Sequence, residues 1–131
     1  MPMDPALVPV LLLVAAFAIQ TAVLGLLVSL RRRAIGASLG DGDDPVLLRR
    51  IRAHGNLVEY APLAVLLTWG LATVGLPPAA VWTAALLLLL ARLIHAAGML
   101  RAGGPALRAL AMVIQHGTFL VAAGLILARL A

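Results

Sequence analysis

Four long apolar runs follow one another along the 131-residue chain, separated by short polar breaks. Each run is long enough to cross the hydrocarbon core of a bilayer, which takes about 20 helical residues. We predict membrane helices near residues 6–30, 46–74, 79–100 and 106–130. The pattern indicates an all-α protein, an integral membrane four-helix bundle that forms one domain over residues 1–131.

The breaks between the runs carry the residues that favour turns. They read GDGDDP at residues 40–45, GLPP at residues 75–78 and RAGGP at residues 101–105. Each break ends in a proline just before a predicted helix, where a missing backbone N–H costs least. No basic leader precedes the first run, which is too long for a signal peptide, so we expect it to be retained as a helix.

Composition supports the membrane class and excludes several chemistries. The chain is 63% hydrophobic and 11% charged, which is far from an ordinary soluble domain. It has no cysteine, which excludes disulfides and thiolate metal ligands, so any thiol chemistry must use the sulfur of a ligand. The net charge is +5, but the arginines flank apolar runs and are not interleaved with exposed aromatic residues. We therefore expect no nucleic-acid partner and expect membrane lipids around the protein.

The arginines predict the orientation in the membrane. Arginines that flank membrane helices hold loops on the cytoplasmic side. Residues 31–33 and residues 49–52 contribute six arginines to the first loop, and Arg101 and Arg108 mark the third loop. We expect the first and third loops to be cytoplasmic, with Arg129 as the one exception.

A polar stripe interrupts the second apolar run. At about 100° per residue, one face of this helix carries Arg49, Arg52, Asn56, Glu59 and Tyr60, whereas His54 projects to the opposite side. Glu59 lies about 15 Å along the helix axis from the first of them. A charge at bilayer depth costs about 2.5–3.5 kcal/mol, so Glu59 needs a partner or a water-filled cavity.

The third and fourth runs carry polar faces at a similar depth. In the third helix Arg92, His95 and Met99 share a face, and in the fourth helix a comparable sector contains Arg108, Met112, Gln115, His116 and Phe119. Together the three faces can enclose a pocket for an anionic, hydrogen-bonding ligand. Glu59 and Arg92 can equally form an ion pair that only locks two helices together. The acidic residues and histidines lack a metal-ligand spacing such as HExxH, and we predict no metal.

Two stretches resemble a known family. Residues 49–62 include RAHGNLVEYAP, which resembles the R-A-x-x-N-x-x-E-x-x-P core of the MAPEG family, membrane-associated proteins in eicosanoid and glutathione metabolism. ARLIHAAG, at residues 91–98, is similar to the helix-three pattern of the same family. The four-helix layout extends the resemblance over essentially the whole chain. The resemblance is to a bacterial-type member, so we expect the protein in a bacterial inner membrane.

The resemblance implies a homotrimer that holds glutathione between neighbouring subunits near the cytoplasmic side. Glutathione offers two carboxylates to arginines and an ammonium group to Glu59. By position in the motifs, the binding residues would be Arg52, His54, Asn56, Glu59 and Tyr60 from helix two, Arg92 and His95 from helix three, and Arg31 from the first helix of the adjacent subunit.

The resemblance also implies a chemistry. Enzymes of the family stabilise the glutathione thiolate with a nearby positive charge or hydroxyl, so that sulfur attacks an electrophile. The arginine expected before helix four matches Arg108 approximately, with Arg101 as the alternative, and His95 and Met99 replace the tyrosines of the eicosanoid branch.

This implies a glutathione-dependent transferase or peroxidase acting on lipophilic electrophiles. A non-catalytic membrane scaffold or lipid-binding subunit and a proton-coupled exporter built on Glu59 remain as alternatives.

Overall fold

The protein is a bundle of four helices. The computed structural model describes residues 3–101 and 104–131. The helices are α1 (Leu7–Ile35), α2 (Pro45–Thr73), α3 (Pro78–Leu100) and α4 (Pro105–Leu130), and the described residues contain no strand. The predicted all-α membrane architecture is confirmed. By length and composition, α1, α3 and α4 are able to cross a membrane, whereas α2 does not reach that threshold because it carries the polar stripe.

The helices begin where the prolines predict and α1 ends later than expected. Pro45, Pro78 and Pro105 each occupy the first turn of a helix, one residue before the predicted start. The α1 helix continues past residue 30 to Ile35, and its C-cap Gly36 has the left-handed φ of 71° that glycine adopts without strain. The three consecutive arginines therefore lie in the last turns of α1 and not in a loop. Part of the predicted third turn, at Ala102 and Gly103, lies outside the described residues.

Successive helices run antiparallel. The end of α1 meets the start of α2 through Arg31 and Asp44, and the last turn of α3 meets the start of α4 at Gly98 and Gly104. The α2 and α3 helices pack against all the others, while α1 and α4 lie at opposite edges and make no contact with each other in the part of the chain described.

Two apolar clusters fill the bundle. One extends from its middle toward the end with the polar faces and includes Phe17, Leu57 and Leu88; the other, at the opposite end, includes Leu71 and Val81. Fully buried small residues let the helix backbones approach closely, among them Ala53, Ala64, Ala85 and Ala91. Large apolar side chains cover the outside of the bundle, as expected for surfaces that face lipid or another subunit.

Candidate functional site

A cavity of about 920 Å³ opens at the end of the bundle where α2 and α4 begin. Its size lies within the range of ligand pockets, about 300–1,000 Å³. The walls come from all four helices and from the first connection: Arg32, Gly40, Asp41, Leu48, Ile51, Arg52, Gly55, Asn56, Glu59, His95, Met99, Pro105, Arg108, Ala109 and Met112.

Five of the predicted site residues line this cavity. Arg52, Asn56 and Glu59 lie on one face of α2, His95 projects from α3, and Arg108 from the first turn of α4. Arg52, Glu59 and Arg108 are exposed, whereas Asn56 is half-buried and His95 is buried. Within the described residues Glu59 forms no salt bridge. Charged groups of both signs are therefore available to a ligand.

The other five predicted residues do not line the cavity. Arg31 forms a bidentate pair with Asp44, in which Nη2 lies 2.6 Å from Oδ2 and Nε donates to Oδ1. His54 packs toward α1 beside Gly25, in agreement with its place opposite the polar stripe. Arg101 is exposed just beyond the end of α3. A ligand contact by Arg31 from an adjacent subunit stays a prediction.

Arg92 lies below the cavity and is almost completely buried, with 1% of its surface exposed. Its Nη1 donates to Asn56 Oδ1 and its Nη2 to Met112 Sδ at 3.7 Å. The guanidinium carbon lies 4.9 Å from the centre of the Tyr60 ring, a cation–π contact. The ion pair between Arg92 and Glu59 that the sequence left open does not form. A buried positive charge thus lacks a carboxylate partner in the described part of the chain.

Tyr60, the fifth of these residues, belongs to an aromatic group around Arg92. Its ring meets His116 edge-on at 5.7 Å and lies 6.3 Å from Phe119. His116 is anchored to its own helix, where Nδ1 lies 2.8 Å from the Met112 carbonyl oxygen. These contacts tie α2 to α4 beneath the cavity, and they give Tyr60 a packing role in this chain.

Two glutamines, the half-buried Gln20 and the buried Gln115, complete the polar layer. Gln20 Nε2 donates to the backbone oxygen of Arg92 at 3.1 Å. Gln115 is fully buried on α4, and neither polar atom of its amide has a partner among the described residues. Sequence reasoning placed Gln115 on the polar face of α4 but missed Gln20. The available signal was a lone amide inside the long apolar run of α1.

Arg108 is held at the cavity wall by weak contacts. Its Nη1 donates to Met99 Sδ at 3.5 Å, and a thioether is a weak acceptor. A methyl group added at Gly104 would lie 2.5 Å from the Gly98 carbonyl oxygen, so the two backbones meet directly beside this arginine. The Arg108 guanidinium is therefore well placed for a stronger acceptor supplied by a ligand.

The end of α1 and the first connection add residues that sequence reasoning did not select. Arg32 lines the cavity, and its buried Nη1 has no hydrogen-bond partner in the described part of the chain. Asp41 lies on the same wall. Arg31 and Arg32 are neighbours in one helix, so their side chains project about 100° apart, and the sequence did not identify which one faces inward.

Asp44 joins α1 to α2 at the rim of the bundle. It is the N-cap of α2 and accepts a hydrogen bond from the Leu47 amide at 2.6 Å. The Arg31 guanidinium, followed by this amide, lowers the pKa of Asp44 from 3.8 to about 2. The carboxylate therefore stays charged, and the pair closes the bundle beside the cavity.

The sequence model of the MAPEG family matches residues 10–128. The chain belongs to the MAPEG family. Members of this family generally use glutathione and are commonly trimeric. No curated protein and no solved structure matches this MAPEG chain. Together with the three apolar helices, membership identifies an integral membrane protein. Membership is consistent with a glutathione-related or similar membrane function.

Proposed function

We propose that this MAPEG protein is a glutathione-dependent transferase or peroxidase that acts on lipophilic electrophiles arriving through the bilayer. One observation carries the proposal: the cavity presents Arg32, Arg52 and Arg108 together with Glu59. Glutathione has two carboxylates and one ammonium group, which matches that arrangement of charges. The whole chain would act as one domain, with the cavity on the cytoplasmic side.

The same cavity supplies a reason for the thiol to ionise. The thiolate is the reactive form of glutathione, and a nearby cation lowers the pKa of the thiol. Arg108 faces the cavity, and among the described residues its guanidinium donates only to a thioether sulfur, so a thiolate would be a stronger acceptor for its N–H groups. The sulfur then bonds to the electrophilic atom as the leaving group departs with the electron pair. Arg101 is the less favoured candidate because it does not line the cavity.

The exposed positions of Arg52 and Glu59 fit a site that a neighbouring subunit completes. We propose a homotrimer in which the adjacent copy covers the open side of the cavity. A closed cavity would exclude water from the reacting sulfur, while the apolar helix surfaces would remain open to a lipophilic substrate in the membrane. Metal chemistry is not part of the proposal, because no cluster of three metal-ligating side chains occurs among the described residues.

Calorimetric titration of the purified protein with glutathione tests the proposal. We expect the wild-type protein to bind, and Arg52→Ala and Glu59→Ala to weaken binding at least about tenfold, because each removes one charge-assisted contact. Arg33→Ala is the matched control, since Arg33 is exposed and does not line the cavity.

The alternative function, a non-catalytic membrane scaffold or lipid-binding subunit, predicts a different outcome. In a scaffold the stripe would only tie helices together, so Arg52→Ala and Glu59→Ala would weaken the oligomer in detergent. An intact oligomer that loses glutathione binding supports the enzyme. A wild-type protein that releases no heat with glutathione, and conjugates no electrophile, would exclude the enzyme.

A further inference from the structure

Asn56 is the side chain that connects the buried Arg92 to the cavity. It lines the cavity wall and accepts a hydrogen bond from Arg92 Nη1. The two ends of its amide have opposite chemistry, because Oδ1 accepts hydrogen bonds and Nδ2 donates them. The end that faces the cavity therefore decides which group of a ligand Asn56 binds.

Arg92 determines which end of the Asn56 amide faces the cavity. A guanidinium has five N–H donors and no acceptor, and it keeps its charge in proteins. The amide of Asn56 therefore has to turn Oδ1 toward Arg92, which leaves Nδ2 for the cavity. The reversed orientation would place donor against donor. It would also deprive a buried charge of its strongest partner, since the remaining contacts of the guanidinium are the Met112 thioether and the Tyr60 ring.

We propose that Arg92 is a positioning residue that makes Asn56 an obligate hydrogen-bond donor to the cavity, so that Asn56 selects an anionic acceptor of the ligand, a carboxylate or a thiolate. The positive charge behind the amide polarises its N–H bonds and strengthens them as donors. Arg92 acts only through Asn56, because Arg92 does not line the cavity. Glutathione as the ligand rests on the function proposed above.

The Asn56→Asp variant tests the orientation directly. Aspartate keeps an acceptor for Arg92 but presents a carboxylate oxygen to the cavity in place of a donor. We expect an unfolding temperature in detergent at or above that of the wild type, and an affinity for glutathione lower by roughly tenfold or more. Thr68→Val is the matched control in α2, because the buried Thr68 hydroxyl donates only to the Ala64 carbonyl of its own helix.

This titration distinguishes a failure of the inference about Asn56 from a failure of the proposed function. If Asn56→Asp binds glutathione as the wild type does, the inference about Asn56 is overturned and the proposed function stands. If the wild type binds no glutathione, the proposed function fails first. S-methylglutathione identifies the acceptor: a loss of affinity that persists with this probe assigns the ligand carboxylate, and a loss that disappears assigns the thiolate. Either result agrees with Asn56 as a donor.

A double-mutant cycle tests whether Arg92 acts through Asn56. Arg92→Gln is neutral and can both donate and accept, so it no longer fixes the amide. If Arg92 acts through Asn56, combining Arg92→Gln with Asn56→Ala weakens glutathione binding no more than Asn56→Ala alone. Additive losses in the double variant would overturn the positioning role. A purely structural effect of Arg92 would lower affinity equally with either residue at position 56.

Discussion

Arg31 and Arg92 show two different uses of an arginine in one bundle. Arg31 lies at the rim, where a carboxylate binds it in a bidentate geometry. Arg92 lies inside, where its partners are an amide oxygen, a thioether and an aromatic face. The positive charge of Arg31 is neutralised within the chain. Among the described residues no carboxylate neutralises the positive charge of Arg92, which instead contacts the cavity-lining Asn56.

The two arginines therefore have different roles: Arg31 joins two helices, whereas Arg92 can influence how the cavity binds a ligand. An ion pair fixes two elements but leaves little potential for a third group. A buried cation without a carboxylate is costly, and here it orients and polarises the Asn56 amide that faces the cavity. The comparison leads to two further predictions about the arginines of this protein and one about Asp44, the partner of Arg31.

The largest expected effect is on stability, at Arg92. Arg92→Ala leaves an empty space in the bundle and removes the donor that satisfies Asn56 Oδ1. We expect the free energy of unfolding in detergent to fall by about 3 kcal/mol or more. Arg31→Ala should cost clearly less, because the Arg31 side chain is partly open to solvent. Equal losses in the two variants, measured by chemical denaturation, would remove the distinction between them.

The second prediction concerns turnover and compares the two arginines that flank the third connection. Arg108→Ala should lower kcat for conjugation of an electrophile to glutathione roughly 100-fold, because it removes a preorganised donor to the thiolate. Arg101→Ala should leave kcat close to that of the wild type, since Arg101 lies outside the cavity. Steady-state kinetics at saturating glutathione measures both. A larger loss of kcat for Arg101→Ala would show that Arg101, and not Arg108, contacts the thiolate.

The smallest expected effect is on the pH dependence of stability, through the pair of Arg31 and Asp44 at the rim of the bundle. The pKa of Asp44 is lowered from 3.8 to about 2 in the folded protein, so its contribution to stability is complete above about pH 4. This contribution is lost as the pH falls through about 2. Thermal unfolding in detergent should show that decline in the wild type and a flatter profile in Asp44→Asn. The same decline in both would place the titrating group elsewhere.

The fold was largely predictable because its signals are local. Prolines begin three of the helices, and apolar runs of sufficient length predict a membrane bundle. The α1 helix was predicted too short, because arginines suggested a loop although they also suit the last turn of a helix, where the dipole favours cations. The polar stripe was predicted as one face of α2. The prediction underestimated how far these polar residues lower the hydropathy of α2, which does not reach the threshold for a membrane span.

The site was only partly predictable because periodicity gives the face of a side chain and not its partner. Glu59 and Arg92 were placed at similar depth, yet Asn56, one turn before the glutamate, accepts the hydrogen bond of the arginine. Tyr60 shares the predicted face but turns to the aromatic rings of α4. Which of two neighbouring side chains makes the contact depends on their rotamers and on the distance between the helices. The spacing of residues along the chain gives neither.

The close contact between the backbones of Gly98 and Gly104 affects how the cavity responds to substitutions in its walls. Since the two main chains touch there, the level at which Arg108 enters the cavity is set by the backbone and not by the side chains around it. Substitutions on the opposite wall can therefore change the shape and polarity of the cavity while this guanidinium keeps its height.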